Sequence, residues 1–335
     1  MKKMKKRSVI GGWIVFALAM FLILVTSASA DIKKPPGFPT RAIEISVGFG
    51  VGGGVDTMAR TIAPMLEKRM GVPISIVNRP GANTAVCMAH LVNQPADGYT
   101  IGATANDSVI AMASGLSKLH IDDFEWLARS LNDLEMFFVR SDDKRFKTWE
   151  EYFKYAKANP NKLTMSVGGA EGIEQIVATL VNMAAGLSIK YIPFDKPTER
   201  YAAFLGGHTD LLLDEPPDMF SYLQEGKVHP IIQMIDKRPE EFKDVPTTVE
   251  KGFDVTMSVW RGFFVKKGTP PEISQYLEAV FRDCFQDPIW LDYKKKRLFI
   301  RPDFKENSAE FGKSAAKELE VIKKTLDLIR KDKKS

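Results

Sequence analysis

Cysteine and histidine are scarce in this chain of 335 residues, which has two of the former and four of the latter. Because Cys87 and Cys284 are too few for a disulfide framework, we expect two small buried residues, with one disulfide between them as the alternative. The four histidines are scattered and match no metal-ligand spacing. The sequence therefore predicts no metal site.

Signatures of catalysis are missing as well. No Gly-x-Ser-x-Gly nucleophile elbow occurs. Asp214 and Glu215 form an acidic pair, but adjacent residues at the end of a strand point in different directions and rarely reach one substrate. We therefore expect neither an enzyme nor a bound cofactor.

A long hydrophobic run occurs once, at residues 9–25. It follows a basic segment and precedes Ala28 and Ala30, which are small residues at the positions that signal peptidase requires. We predict a secretory signal peptide over residues 1–30, cleaved after Ala30, with an uncleaved membrane anchor as the alternative. No later stretch of the sequence has the length and hydrophobicity to span a bilayer.

An excess of charge of either sign is also missing once residues 1–30 are set aside. The whole chain has a formal net charge of +5, from 47 basic and 42 acidic side chains. Five basic and no acidic residues fall in the predicted signal peptide, so the remainder has 42 of each sign. Net charge therefore offers no argument for a nucleic-acid partner, and we expect none.

Strand-like and helix-like segments alternate along the rest of the chain. Residues 42–49 read as a strand, and residues 56–70 have apolar side chains at helical spacing. Residues 308–330 predict a long amphipathic helix. Such alternation is typical of α/β folds with mainly parallel sheets.

A strand, a glycine-rich loop and a helix occur in that order twice, at residues 44–70 and 163–185. This repetition predicts two similar α/β lobes, with chain crossings near residues 134–141 and 254–260. The expected division is a first lobe from residues 31–135 and 260–335, and a second lobe from residues 136–259.

The first of these loops contains the Gly-x-Gly-x-x-Gly spacing of dinucleotide-binding folds, within residues 48–53. A dinucleotide site also needs an acidic residue at the end of the second strand, where this sequence has Asn78 and Arg79. A phosphate loop needs Gly-Lys-Ser/Thr before its helix, where this sequence has Gly-Val-Asp. Both nucleotide interpretations therefore fail.

Glycines before a helix still favour an anion, because they leave backbone amides uncovered at the positive end of the helix dipole. A second loop of the same design occurs at residues 166–172. Together the two loops predict a carboxylate or phosphate site shared by the lobes. The alternative is that the glycines only permit tight turns between strand and helix.

Six motifs, in the same order, resemble those of the extracytoplasmic solute receptors of tripartite tricarboxylate transporters, often called Bug receptors. They are FPTRAIEISVGFGVGGGVDTMAR, VPISIVNRPGAN, QPADGYTIGAT, the segment from YIPFDKP to LQEGKV, KDVPTTVEKGF and WRGFFVKKGTPPEI. The resemblance covers nearly all of the chain after the predicted signal peptide.

This resemblance implies an α/β, two-lobed periplasmic-binding-protein fold of the type II kind. Each lobe has a mainly parallel sheet flanked by helices, and the ligand cleft lies between the lobes. The resemblance further implies a periplasmic, monomeric receptor that binds a small organic acid and delivers it to the permease subunits of a tripartite transporter. Two alternatives stay open, namely a sensor that docks on a membrane two-component kinase and a diverged receptor with a changed or lost ligand.

In this family, backbone amides and ordered water at the two glycine loops hold one carboxylate of the ligand. Carried over residue by residue, the resemblance implies ligand contacts at Phe49, Gly52, Gly53 and Gly54 in the first loop, Gly168, Gly169 and Ala170 in the second, Thr104 and Asn106 after the third strand, and Asp214 at a later strand end. The alternatives are core packing for Phe49 and helix caps for the polar side chains.

Other residues depart from the family pattern. The second loop continues with Glu171 and Glu174 where the family has small polar residues, so we expect a retained anion grip and a changed distal pocket. Arg261 is a candidate partner for a second ligand charge, because a guanidinium binds a carboxylate in a bidentate way, and its alternative is an exposed strand arginine. Asp56 is assigned to structure, because in the first helical turn it would repel a ligand anion.

Overall fold

Ten strands and ten α-helices lie in the residues that the computed structural model describes, which are 33–169, 171–194, 196–299 and 308–332. The chain divides into two units, Met1–Lys34 and Pro35–Ser335, and all of these elements belong to the second. The predicted signal peptide and Ala170 lie outside the described residues.

Strands and helices alternate through most of the chain. In order they are β1 (Ile43–Val47), α1 (Gly54–Met70), β2 (Ile74–Asn78), α2 (Ala85–Val92), β3 (Thr100–Ala105), α3 (Asp107–Ser114), β4 (Phe124–Leu134), β5 (Met136–Arg140), α4 (Trp149–Ala158), β6 (Thr164–Gly168), α5 (Ile173–Ala185), β7 (Lys190–Phe194), α6 (Pro197–Leu205), β8 (Leu211–Asp214), α7 (Pro216–Gln224), β9 (Val228–Gln233), β10 (Ser258–Lys266), α8 (Pro271–Cys284), α9 (Pro288–Lys296) and α10 (Ser308–Asp332).

The strands form two five-stranded sheets. The order is β2-β1-β3-β10-β4 in the first sheet and β7-β6-β8-β5-β9 in the second. In each sheet four strands point the same way. The fourth strand in each order, β10 or β5, runs antiparallel to both of its neighbours. The predicted mixed α/β architecture with mainly parallel sheets is confirmed, with the same single reversal in both sheets.

The chain passes from the first sheet to the second over a single residue and returns through a longer segment. Strand β4 of the first sheet ends at Leu134 and β5 of the second begins at Met136, so Glu135 alone links the two strands. The chain returns to the first sheet in the segment between β9 and β10. Helix α10 packs against α3 and β4 and also contacts α5, so it touches elements associated with both sheets.

An aromatic cluster fastens α10 to the first sheet. The ring of Phe311 lies 5.1 Å from that of Trp126 and 5.0 Å from that of Trp260, both in edge contact. Gly262 of β10 leaves the space for this packing, because a Cβ there would lie 2.7 Å from the Phe311 ring. The aromatic contacts bury Phe311 near the start of α10 and set the position of this part of the helix on the sheet.

Both cysteines are buried and unpaired, as the prediction of two small core residues requires. Cys87 donates its Sγ–H to the backbone oxygen of Ser46 in β1 at 3.3 Å. Burial raises the pKa of Cys87 to about 11 and that of Cys284 to about 12. Neither thiol is therefore reactive near neutral pH.

Among the helices of the described ranges, none combines the length and the hydrophobicity needed to cross a membrane.

Candidate functional site

The first glycine loop lies between β1 and α1, and much of its hydrogen-bonding capacity is used inside the chain. The amide of Gly52 donates to Oδ2 of Asp56 at 2.8 Å, and the amide of Gly53 donates to the oxygen of Gly50 at 3.2 Å. Burial alone would raise the pKa of Asp56, but hydrogen bonds from Arg60 and the Gly52 amide lower it. Asp56 is thus an internal anion at the start of α1, which agrees with its assignment to structure.

Gly54 and Arg261 meet at the N-terminus of α1. A Cβ on Gly54 would lie 2.9 Å from Cζ and Nη2 of Arg261, so only glycine allows the guanidinium to approach this closely. Arg261 is 7% exposed on β10, where the sequence left open an exposed strand arginine. A buried guanidinium at the positive end of a helix is a strong candidate to hold a carboxylate.

The guanidinium of Arg261 also reaches the second sheet. Its Nη2 donates to Oε2 of Glu215, which is the N-cap of α7, at 3.0 Å. Its Nη1 lies 3.7 Å from Oδ2 of Asp133 in β4. Arg261 is therefore held between carboxylates of the chain, one from each sheet's elements.

The second glycine loop faces a carboxylate of the chain itself. A Cβ on Gly168 would lie 2.6 Å from Oε1 of Glu174, and the amide of Gly169 donates to the oxygen of Phe194. Glu174 accepts a 2.6 Å hydrogen bond from Arg200, whose Nη2 donates to Oδ2 of Asp214 at 2.8 Å. The structure thus connects Gly168 and Asp214, two of the predicted site residues, through an ion-pair chain that the sequence did not reveal.

Thr104 and Asn106 have their polar atoms engaged within the fold. The Thr104 hydroxyl is fully buried and contacts Oγ1 of Thr84 at 3.4 Å. The Asn106 amide donates to the oxygen of Ser258 at 3.1 Å and to Glu318, and its Oδ1 accepts from the amide of Trp260 at 2.7 Å. These contacts give Asn106 a structural role, since they fasten the end of β3 to β10 and α10.

Phe49 is half-buried, and its backbone oxygen accepts a hydrogen bond from Nδ2 of Asn78 at 2.9 Å. This bond ties the first glycine loop to the end of β2, beside Asp56, to which Asn78 also donates at 2.8 Å. The loop is therefore held in place by side chains from strand β2 and helix α1.

Seven carboxyl groups interact electrostatically around the two arginines, and we call this group the carboxyl cluster. Its members are Asp107, Asp133, Glu135, Glu174, Asp214, Glu215 and Asp218. They come from α3, the β4–β5 crossing, α5, the end of β8 and α7. Elements associated with both sheets thus contribute carboxyl groups to a single electrostatic network.

Burial raises the pKa of most of these groups. It raises that of Asp133 and of Asp214 to about 7, against the pull of Arg261 and Arg200 respectively. It raises the pKa of Asp107 to about 6, with a further contribution from the charge of Glu174. Asp107, Asp133 and Asp214 therefore titrate close to neutral pH.

Glu135 differs from the other buried members of the carboxyl cluster in its lack of side-chain hydrogen bonds. It is fully buried, and neither of its carboxyl oxygens has a hydrogen-bond partner. Burial and the charge of Glu174 raise its pKa well above the usual range. The sequence signal was available, because Asp133 and Glu135 stand inside the mostly apolar stretch LNDLEMFFV, and carboxylates are rarely buried without a partner.

No group of three or more His, Cys, Asp or Glu side chains in the described part of the chain is arranged to hold a metal ion. The carboxyl cluster is thus an electrostatic network without the geometry of a metal centre.

A separate cavity of about 380 Å³ lies between β4 and α10. Its lining includes Trp126, Lys267, Ser274 and Gly312, and it contains neither the predicted site residues nor members of the carboxyl cluster.

Two mixed sheets of matching topology, linked by two chain crossings and by the Arg261–Glu215 ion pair, form a two-lobed α/β fold, the architecture of solute-binding proteins. The family model described as "Tripartite tricarboxylate transporter family receptor" matches residues 58–325. The chain belongs to this family, and the family resemblance noted in the sequence is confirmed.

Similar proteins align with this chain over most of its length and of their own. A curated relative from Cupriavidus necator, "UPF0065 protein in gbd 5'region", is 29% identical over 320 residues, covering 95% of this chain and 94% of the relative. A TctC solute-binding protein from Polaromonas, solved without ligand, has a TM-score of 0.76 at 28% identity and covers 87% of this chain and 99% of its own. MatC from Rhodopseudomonas palustris, solved with bound malate, has a TM-score of 0.71 at 22% identity, covering 86% and 99%.

Proposed function

We propose that the protein is an extracytoplasmic solute receptor that binds a small organic acid between its two sheets. The observation that carries this proposal is the contact of Arg261 with Gly54, which combines a buried guanidinium with the N-terminus of a 17-residue helix. Family membership supports the same function, as does the malate bound to the similarly folded MatC.

Binding would proceed by exchange of carboxylates at Arg261. In the structure Oε2 of Glu215 lies 3.0 Å from Nη2 of Arg261 and forms an ion pair with the guanidinium. A ligand carboxylate would replace Glu215 there and would also gain the dipole of α1, since anions are stabilised at helix N-termini. Because Arg261 and Glu215 belong to different sheets, such an exchange would couple ligand binding to a change in how the lobes meet.

The remaining parts of the function follow from the family and the sequence. We propose that the signal peptide directs the protein to the periplasm, where it acts as a monomer and delivers its ligand to the permease subunits of a tripartite transporter. We also propose that residues 31–135 with 260–335, and residues 136–259, are the two lobes that move relative to one another. The chain itself performs no chemistry on the ligand.

A thermal-shift screen of the exported, processed protein against small organic acids tests this function. A ligand that binds only the folded state raises the melting temperature by mass action, so at least one acid should stabilise the protein. Arg261→Lys should weaken that effect, because lysine keeps the charge and loses the bidentate fork. Arg238→Lys, at an exposed pair with Glu250, is the matched control. Absence of any stabilising acid, or an unchanged response in Arg261→Lys, would contradict the proposal.

A further inference from the structure

The carboxyl cluster contains more acidic groups than the buried arginines can neutralise. Arg200 is shared by Glu174 and Asp214, at 2.6 and 2.8 Å. Arg261 is shared by Glu215 and Asp133, at 3.0 and 3.7 Å. Each arginine therefore faces two carboxyls, before Glu135, Asp107 and Asp218 are considered.

Glu135 has no hydrogen-bonded cation. Its side chain is fully buried, neither of its oxygens has a hydrogen-bond partner, and the charges that act on it are those of three acids, Glu174, Asp214 and Asp133, against one cation, Arg200, which Glu174 and Asp214 already share. A buried ionised carboxylate without a partner costs several kcal/mol, so this group must either hold a proton or receive a cation. Oδ2 of Asp133, two residues away, also has no hydrogen-bond partner.

The cluster extends from solvent to this buried group. Asp218 is exposed and interacts with the buried Asp133, and Asp107 is partly exposed and interacts with Glu174, which in turn acts on Glu135. Glu135 itself stands at the crossing between the sheets, and Glu215 holds Arg261 across them. The cluster thus connects exposed acids with a buried carboxyl group at the crossing between the sheets.

We propose that the ligand is an amino acid in the broad sense, whose carboxylate binds at Arg261 and Gly54 and whose ammonium group pairs with Glu135 and Asp133. This inference rests on the proposed function, because it assumes that Arg261 and Gly54 hold a carboxylate.

The charges of the cluster decide between ligand classes. A dicarboxylate would bring a second negative group into a network that already has an acidic surplus, and like charges in a site of low dielectric repel strongly. An ammonium group would instead supply the cation that Glu135 lacks, and would donate hydrogen bonds to both acids. The acids thus select against a second carboxylate as well as for a cation, which is how specificity commonly arises.

Calorimetric titration with matched pairs of probes tests this inference on the processed protein. Each pair keeps the number of carbon atoms and replaces one carboxylate by a protonated aminomethyl group: γ-aminobutyrate with succinate, δ-aminovalerate with glutarate, and ε-aminocaproate with adipate. Lysine and ornithine are added as α-amino acids with a second ammonium group. At least one amino member should bind about tenfold or more tightly than its dicarboxylate partner, as expected for a charged hydrogen bond.

Two variants assign the effect to the carboxyl cluster. Glu135→Gln keeps the shape and removes the charge, so it should weaken binding of the best amino probe by about tenfold or more. Asp133→Asn is the second variant and should act in the same direction. Glu225→Gln changes an exposed acid outside the cluster and should leave the affinity unchanged.

The outcomes separate this inference from the function on which it rests. If every dicarboxylate binds as tightly as its amino partner, or if Glu135→Gln binds the best amino probe normally, the ammonium site is refuted and the receptor function stands. If putrescine, which has no carboxylate, binds as tightly as the amino probes, the carboxylate contact at Arg261 is refuted. If no probe and no other organic acid binds, the proposed function falls together with the inference.

Discussion

Nη2 of Arg261 lies 3.0 Å from Oε2 of Glu215, and this contact joins a strand of the first sheet to a helix that follows a strand of the second. Both residues are buried. An ion pair in this position holds the two sheets together without a ligand, and it places the cation of the proposed site beside its internal competitor. Binding must therefore separate or rearrange this pair.

The glycine at the start of α1 should be required for ligand affinity. Gly54→Ala would place a Cβ 2.9 Å from the Arg261 guanidinium and so displace it. We expect the affinity for the best ligand to fall by about tenfold, with little change in melting temperature, because alanine suits a helix and the guanidinium is the flexible end of its side chain. Calorimetric titration measures the affinity.

A second glycine of the same loop provides the control for this change. A Cβ on Gly50 would have nothing within 4 Å, and Gly50 does not have a positive φ. Gly50→Ala should therefore bind the ligand normally. Equal losses in both variants would show that the loop as a whole, and not the approach of Arg261 to α1, determines binding.

The arginine of the second sheet should matter for stability. Arg200→Met would leave Glu174 and Asp214 without the cation that both contact. Removal of one partner from a buried ion pair commonly costs about 3–5 kcal/mol, and we expect a loss of this size in the free energy of unfolding. Urea unfolding measures it, with the exposed Arg238→Met as the control. A loss no greater than in that control would mean that the Arg200 pairs contribute little.

The free energy of unfolding should fall as pH rises from about 4 to about 7. Burial raises the pKa of Asp133 and Asp214 to about 7 in the folded protein, above the usual value of 3.8. The folded state then binds more protons than the unfolded state across this window, so loss of protons destabilises it. Carboxyl groups with a lowered pKa in the folded state make stability rise with pH instead. Asp143 is one of them, because hydrogen bonds from Arg145 lower its pKa, and it acts mainly below this window.

Melting temperatures at about pH 5 and about pH 8 check this sign. The protein should be more stable at the lower value, and Glu135→Gln should reduce the difference because it removes one buried carboxyl. A protein that is more stable at the higher value, with an unchanged slope in Glu135→Gln, would show that the carboxyl cluster is already neutralised by other means.

The two thiols should be inert in the folded protein. Cys87 and Cys284 are completely buried and burial raises the pKa of both thiols, so neither is accessible or ionised near neutral pH. A thiol-specific disulfide reagent should react with none of them in native buffer and with two per chain in denaturant. Rapid reaction of one thiol in native buffer would show that its surroundings open readily.

Sequence patterns predicted the regular parts of the fold well. The strand expected at residues 42–49 is Ile43–Val47, and the helix expected at residues 308–330 is Ser308–Asp332. These segments are readable because their apolar spacing, or their glycine and proline boundaries, match one structure only. The first glycine loop and Arg261 could also be singled out from the sequence, although only the structure shows that they touch.

The carboxyl cluster could not be assembled in the same way. Its members come from four separate segments of the sequence, at residues 107, 133–135, 174 and 214–218. Asp133 and Glu135 occur where β4 and β5 meet, in a segment whose mixture of charged and apolar residues did not predict two successive strands. Strand β7 was missed for a related reason, since Pro193 argues against a central strand and is tolerated here because β7 is at the edge of its sheet. In both places the strands form because they pair with strands from distant parts of the sequence, which local patterns do not show.

A crystal structure of the processed protein with its best-binding probe tests the central claim most directly. We predict that the probe lies between the two sheets, with its carboxylate within hydrogen-bond distance of the Arg261 guanidinium and beside Gly54, and with Glu215 displaced from Arg261. A probe found instead in the cavity lined by Trp126 and Gly312, with the Arg261–Glu215 pair intact, would contradict the account.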